Sequence, residues 1–237
     1  MSWVEQPAWL LHRRPYRETS LLIDLLTPEE GRIAAVVKGV RGTGRVARQK
    51  QAWLQPAQPL QARWRARATQ GLVSLRQLEP RGQGTFLQGE ALLCLLYTNE
   101  LLVRVLPEGA PVPEVFSAYE ALVERLAGVV SRDDLAWALR RFEGVLVAAL
   151  GVNPIFATDA LERPLDAAAR YRWDPEQGWL LAADGVSGCC LMAFAAQEPL
   201  PACLKEWKRM LRMLLAPWLG NRPLRAQQLW QATKTEK

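Results

Sequence analysis

A small β barrel followed by a mainly helical domain, an α+β multi-domain chain, is the fold class this sequence predicts, and three observations predict it. Up to about residue 80 the chain runs in short apolar or alternating stretches separated by turn residues. From residue 86 onward apolar residues recur at helical spacing instead. Charge is partitioned along the same lines. Residues 1–82 hold 14 basic against 6 acidic side chains, net +8; residues 83–203 hold 8 against 16, net −8; residues 204–237 hold 8 against 2, net +6. The overall +6 therefore hides two basic ends around an acidic middle, an asymmetry more informative than the net charge itself.

In the first domain, residues 1–82, "AWLLHRR" (8–14) and "SLLIDLLT" (20–27) are apolar runs, and "PEEG" (28–31) turns the chain into "RIAAVVKGV" (32–40). "PLQARWRAR" (59–67) alternates strictly: Leu60, Ala62, Trp64 and Ala66 belong to one face, Gln61, Arg63, Arg65 and Arg67 to the other. "GLVSLRQLEP" (71–80) is a fifth strand. Five short strands with a long loop after the third fit a five-stranded OB-fold β-barrel, with a five-stranded sandwich or an SH3-like barrel as alternatives. That loop, "KGVRGTGRVARQK" (38–50), carries five cations and no acid, and Gly39, Gly42 and Gly44 argue against a regular helix through it.

In the second domain, residues 83–237, helices are predicted over 86–106, 115–129 and 132–152, the last capped by Asp133 or Asp134. A hairpin near 171–181 turns on Asp174-Pro175 and Gly178. An amphipathic helix over 202–220 and a short one over 225–232 complete the chain. The longest apolar runs, such as Val145–Leu150, are too short to span a bilayer, and the amino terminus lacks the basic and apolar regions of a signal peptide. A cytoplasmic protein is expected. Cys94, Cys189, Cys190 and Cys203 include no C-x-x-C pair, so four reduced thiols and no structural zinc are expected.

Catalytic chemistry finds little footing. His12 is the only histidine, so a multi-histidine metal site is excluded. A Ser-His-Asp or Cys-His arrangement would have to use this one, which sits in a predicted strand beside Arg13 and Arg14 and reads as a surface or barrel-edge residue. Glu29-Glu30 and Asp133-Asp134 have local explanations as turn and helix-start carboxylates. "GVRGTGRV" lacks the residue order of a phosphate-binding P-loop. No cofactor is implied. Binding is what remains. Arg63, Arg65 and Arg67 share a strand face, Arg14 and Arg17 flank Tyr16, and the loop adds Lys38, Arg41, Arg45, Arg48 and Lys50. Guanidinium groups beside rings on an open sheet suit a nucleic-acid strand, because cations neutralise phosphates while rings stack on bases.

Several stretches then read together: "RPYRETSLLIDLLTPEEGRIAAVVKGVRG" (14–42), "LQPAQPLQARW" (54–64), "LYTNELLVRVLPEGAPVPEVFSAY" (96–119), "ALRRFE" (138–143), "YRWDPEQGW" (171–179) and "APWLGNRPLRAQQLW" (216–230). In this order they resemble the RecO family of bacterial recombination mediators, in its proteobacterial form, through nearly the whole chain. The resemblance implies an amino-terminal OB fold, a helical carboxy-terminal domain and no covalent chemistry. It also implies binding of single- and double-stranded DNA, annealing of complementary strands, engagement of the acidic tail of the single-stranded-DNA-binding protein SSB, and, with RecR, loading of RecA onto SSB-coated DNA. Lys38, Arg41, Arg45 and Arg48 match the family's basic loop, and Arg140 matches the position implicated in docking the SSB tail. Leu101 and Leu139 would supply its apolar neighbours, and Glu143 or Asp134 offers Arg140 a purely structural partner instead. Some members carry paired C-x-x-C motifs in the second domain, whereas residues 152–174 here contain no cysteine. A monomer, with no membrane association, is expected. The main alternative is a protein–protein adaptor without direct nucleic-acid binding; an RNA-binding OB protein and a membrane-surface role for the last long helix are weaker ones.

Overall fold

The computed structural model describes residues 2–65, 71–128, 131–154, 156–220 and 223–226. The chain forms two compact units, residues 1–129 with 218–237, and residues 130–217.

The first unit is built on a six-stranded sheet: β1 (Trp3–Tyr16), β2 (Ser20–Thr27), β3 (Gly31–Val37), β4 (Pro59–Arg65), β5 (Val73–Ser74) and β6 (Gln77–Pro80), in the order β5-β3-β2-β1-β4-β6. The stretch 71–80, expected as one fifth strand, is two. β5 pairs in parallel with β3 at one edge, and β6 pairs antiparallel with β4 at the other. Only Leu75 and Arg76 join them, so the end of β5 and the start of β6 are at most about 10 Å apart at full extension. The two edges are therefore drawn together and the sheet curls into a half-barrel. Its concave side holds one core, with Ile23, Leu25, Ala35 and Leu60 fully buried and Trp64 beside them. Trp64 faces inward while Arg63 and Arg65 face out, as the period-2 pattern predicts.

β1 is longer than expected, because Pro7 does not interrupt it, and a bulge between Leu10 and His12 re-aims its second half. A larger departure lies in the basic segment. From Arg45 to Trp53 it is a helix, α1, not loop. The three glycines all precede Arg45, and Arg-Val-Ala-Arg-Gln-Lys-Gln-Ala contains mostly good helix formers. Gly44 is the N-cap, and Ala47 turns inward against the barrel. Only 38–44 remains loop.

The convex side of the sheet carries α2 (Gly89–Val105) and α3 (Pro113–Ala127). Trp9 packs against Tyr119 at 5.5 Å, and the Tyr119 hydroxyl donates to Asn99 Oδ1 at 2.6 Å. Burial of that phenol pushes its pKa well above the ordinary tyrosine value, despite the opposing hydrogen bond to Asn99. Glu100 accepts from the backbone N–H groups of Arg225 and Ala226, holding the start of the last short helix. The remainder of the expected 225–232 helix lies outside the described residues.

Arg32 ties the sheet to the α2–α3 connection. It donates to Asp24 Oδ1 at 3.0 Å, Glu108 Oε1 at 3.1 Å and the Leu106 carbonyl at 3.1 Å. At Asp24, burial raises the carboxyl pKa, but hydrogen bonds from His12 and Arg32 with their charges outweigh it, so the net position is below the usual value. A depressed native pKa means stabilisation present above the unfolded value, about 4, and lost as pH falls through the lower native value. Asp24→Asn should therefore cost about 1–2 kcal/mol at neutral pH. That gap should close below about pH 4 in urea titrations run across pH; an undiminished gap at acid pH would remove the ion pair from the account.

The second unit contains α4 (Arg132–Ala149), a three-stranded sheet of β7 (Arg170–Asp174), β8 (Gly178–Leu181) and β9 (Val186–Ser187), then α5 (Gly188–Ala195), a 3-10 turn (Pro201–Cys203) and most of α6 (Leu204–Leu219). The N-cap of α4 is Ser131, not Asp133 or Asp134: its Oγ accepts from the Asp134 N–H at 3.1 Å while its hydroxyl donates to the Asp134 carboxylate. A hydroxyl three residues ahead of an acid makes a reciprocal cap, and the two aspartates become first-turn charges instead. The expected hairpin is present and gains β9 as a third strand. The unit's core is aromatic: Trp137, Phe194 and Trp207 pack on one another in tilted and edge-on contacts, and Phe156 and Trp179 extend the cluster from Phe194. α5, which sequence periodicity did not reveal, brings Cys190 within 5.4 Å of Cys203 (Cα to Cα), and the two form a disulfide. The expectation of four thiols is thereby corrected, since Cys94 and Cys189 alone keep theirs.

Candidate nucleic-acid interface

The cations picked out in the sequence fall into three groups on the first unit. At the far end of β1, the Arg17 guanidinium lies 5.2 Å from the centre of the Tyr16 ring, and Arg17 itself adopts a left-handed backbone, φ 52°. Arg41 donates to the Arg17 carbonyl at 2.9 Å, while Val40 and Arg41 donate their backbone N–H groups to Thr19. The loop is thus pinned onto the β1–β2 turn, with Arg14, Arg17 and Arg41 all exposed. Arg45 and Arg48 are exposed on the outer side of α1.

The second group surrounds a groove of about 400 Å³ at the seam where the two sheet edges approach. Lys38 and Lys50 stand on one wall, joined by a 3.0 Å hydrogen bond from Lys50 Nζ to the Lys38 carbonyl. Arg76, on the two-residue link between β5 and β6, also lines the groove, together with Trp53, Leu54, Leu75 and Leu78. Glu79 is the one acid on the rim. Three cations with a ring and apolar side chains make a site for a flexible polyanion with stackable faces.

The third group is on the outer face of β4. Arg63 and Arg65 each place a guanidinium 5.2 Å from the centre of the Trp3 ring. Arg63 also approaches Glu5 at 4.0 Å, an exposed pair of little energetic weight. Arg67 lies outside the described residues.

Leu101, Leu139 and Arg140 do not form a comparable exposed patch. Leu101 is fully buried in α2 of the first unit; Leu139 and Arg140 are buried in α4 of the second, and Arg140 donates to Glu143 Oε1 at 3.0 Å. The structure therefore realises the local partner foreseen for Arg140.

Trp3, Trp53 and Arg76 were not foreseen. Pro7 hid the first residues of β1, and with them Trp3; Trp53 becomes visible once 45–53 is read as a helix; Arg76 is absorbed into an unbroken fifth strand. The break at Leu75-Arg76 has no strong marker in the sequence, since neither residue is a turn former.

A curled sheet with a helix between its third and fourth strands, open at a seam lined with cations and rings, defines an OB-fold protein, here followed by a helical carboxy-terminal region. Residues 1–83 match the family model "Recombination protein O N terminal", and residues 87–227 match "Recombination protein O C terminal". The chain is 40% identical over 237 residues to DNA repair protein RecO of Nitrosococcus oceani, covering 97% of this chain and 93% of that one. It is 39% identical over 235 residues to DNA repair protein RecO of Pseudomonas aeruginosa, covering 97% and 95%. With DNA repair protein RecO of Alteromonas mediterranea it shares 35% over 230 residues, covering 94% and 95%. The chain belongs to the RecO family, and its role lies in DNA repair and recombination.

Proposed function

We propose that this protein is a recombination mediator without covalent chemistry of its own. It binds single- and double-stranded DNA, anneals complementary strands, engages SSB, and with RecR promotes loading of RecA onto SSB-coated single strands, acting as a cytoplasmic, nucleoid-associated monomer. The observation that carries the DNA reading is the seam groove, which Lys38, Lys50 and Arg76 line together with Trp53. Phosphates sit against the cations, and an unstacked base has a ring to rest on. Neutralising phosphates on two strands lowers their mutual repulsion, which is what annealing requires. For SSB, the acidic tail would take Arg140 of α4 as its cation, and because Arg140 is buried against Glu143 this requires the tail's carboxylate to replace or join that partner.

The test is anisotropy of a labelled single-stranded oligonucleotide across a salt series. If four or more cations engage, log affinity should fall against log salt with a slope of about −3 or steeper. Lys50→Ala combined with Arg76→Ala should weaken binding and flatten that slope by about 1.4, two contacts at about 0.7 each. A wild-type chain with no measurable affinity would hand the lead to the adaptor reading.

A further inference from the structure

We propose that Trp3 is a base-stacking platform at the end of a single-stranded DNA track that leaves the seam groove at Arg76, crosses the short edge strand β6 and continues on the outer face of β4. The proposal rests on the DNA-binding reading above and extends it to a surface the groove does not include.

Trp3 is 44% exposed at the start of β1, where it pairs with Arg65 across to β4. A lone exposed aromatic needs no explanation. This one has two guanidiniums within 5.2 Å of its centre, Arg63 and Arg65, so the ring is oriented and yet keeps nearly half its surface open. Guanidiniums against an indole retain outward N–H donors for phosphate, so the arrangement presents a stacking surface and two anion contacts together. Arg65 has no carboxylate partner among the described residues, and Arg63 has only the 4.0 Å approach to Glu5.

The surface is continuous with the groove. Arg76, on the groove wall, donates its backbone N–H to the Arg63 carbonyl at 2.8 Å. Gln77, also on that wall, is the cross-strand partner of Arg63. β6 is four residues long and is the edge of the sheet, so nothing beyond it in the sheet blocks a strand passing over. From β6 to β4 to β1 is two strand spacings, about 10 Å. At the 3.4 Å rise of a stacked strand this is about three nucleotides. The carboxylate of Glu79 lies farther along β6, opposite Gln61, away from this crossing.

The test uses the full-length protein and a ladder of fluorescent oligothymidylates from about 4 to about 16 nucleotides, the range of single OB-fold sites. Wild-type affinity should rise with length past the groove's own occupancy. Trp3→Ala should match wild type on the shortest oligonucleotides and bind the longest about tenfold more weakly, the contribution expected of one stacked base. Trp3→Phe should recover most of the loss. The salt slope should not change in Trp3→Ala, because stacking releases no counterions, whereas Arg65→Ala should flatten it by about 0.7 on long oligonucleotides only. Equal affinity of Trp3→Ala and wild type at every length, or an equal loss at every length, overturns the platform while leaving the groove reading intact. A wild-type chain that binds no oligonucleotide of any length overturns both.

Discussion

Gly31→Ala should lower the stability of the first unit by about 3–5 kcal/mol, one of the largest effects available to a single methyl group in this chain. Gly31 follows the turn at Pro28–Glu30 and has φ +57°, a left-handed conformation that already disfavours a side chain. A Cβ built there would lie 1.9 Å from the carbonyl oxygen of Ala110, which is backbone and cannot rotate away. The α2–α3 connection is laid directly on this hairpin. The Gly109 N–H donates to the Arg32 carbonyl at 3.0 Å, and the Val112 N–H to the Pro28 carbonyl at 3.0 Å. Making room for one methyl group lifts that connection and strains the Arg32 contacts to Glu108 and Leu106. Gly39 supplies the control, with φ +67° and nothing within 4 Å of its Cβ position. Gly39→Ala should cost only about 1 kcal/mol, the conformational part alone. Urea midpoints for the two variants separate the contributions, and equal shifts would mean that the approach of Ala110 is unimportant.

Arg140→Ala should cost about 3–5 kcal/mol for a different reason. Arg140 and Glu143 are one turn apart on α4, with side chains 7% and 1% exposed and a 3.0 Å separation. Removing the cation takes from the buried Glu143 carboxylate the guanidinium that it holds at 3.0 Å, and losing one member of a buried ion pair is costly whatever the pair itself contributed. Replacing both partners together, Arg140→Met with Glu143→Leu, should return stability to within about 1 kcal/mol of wild type. This double variant also decides the proposed SSB contact. An Arg140→Ala protein that fails to bind an SSB tail peptide has lost stability too, so the result is ambiguous by itself. A stable double variant that still binds the peptide would place the tail elsewhere; loss of binding without loss of stability would locate it at Arg140.

Local periodicity made most of the elements legible. Strict alternation in "PLQARWR" put Trp64 inside and Arg63 and Arg65 outside, because a pleated strand has no other option. The helices α2, α3, α4 and α6 were visible for the equivalent reason, their apolar residues recurring with the helical turn. Failures occurred where local signals compete. Three glycines in a row of seven residues obscured a helix that begins immediately after them, and Pro7 obscured a strand that runs through it. Sequence pattern also has no means of joining Cys190 to Cys203, because their pairing depends on how α5 meets the turn that precedes α6.

The candidate site divides in the same way. That a basic β domain precedes an acidic helical region, and that arginines occupy one face of β4, follow from the residues alone, since charge and side-chain alternation are properties of the chain. Which cations share a site was decided only by the tertiary structure. A break of two residues sends 73–74 to β3 and 77–80 to β4, and the curl this forces brings Lys38, Lys50 and Arg76 to one groove, while the register of β1 on β4 sets Trp3 beside Arg63 and Arg65. Contacts between residues far apart in sequence form only when the sheet closes, and no window of the sequence contains both partners.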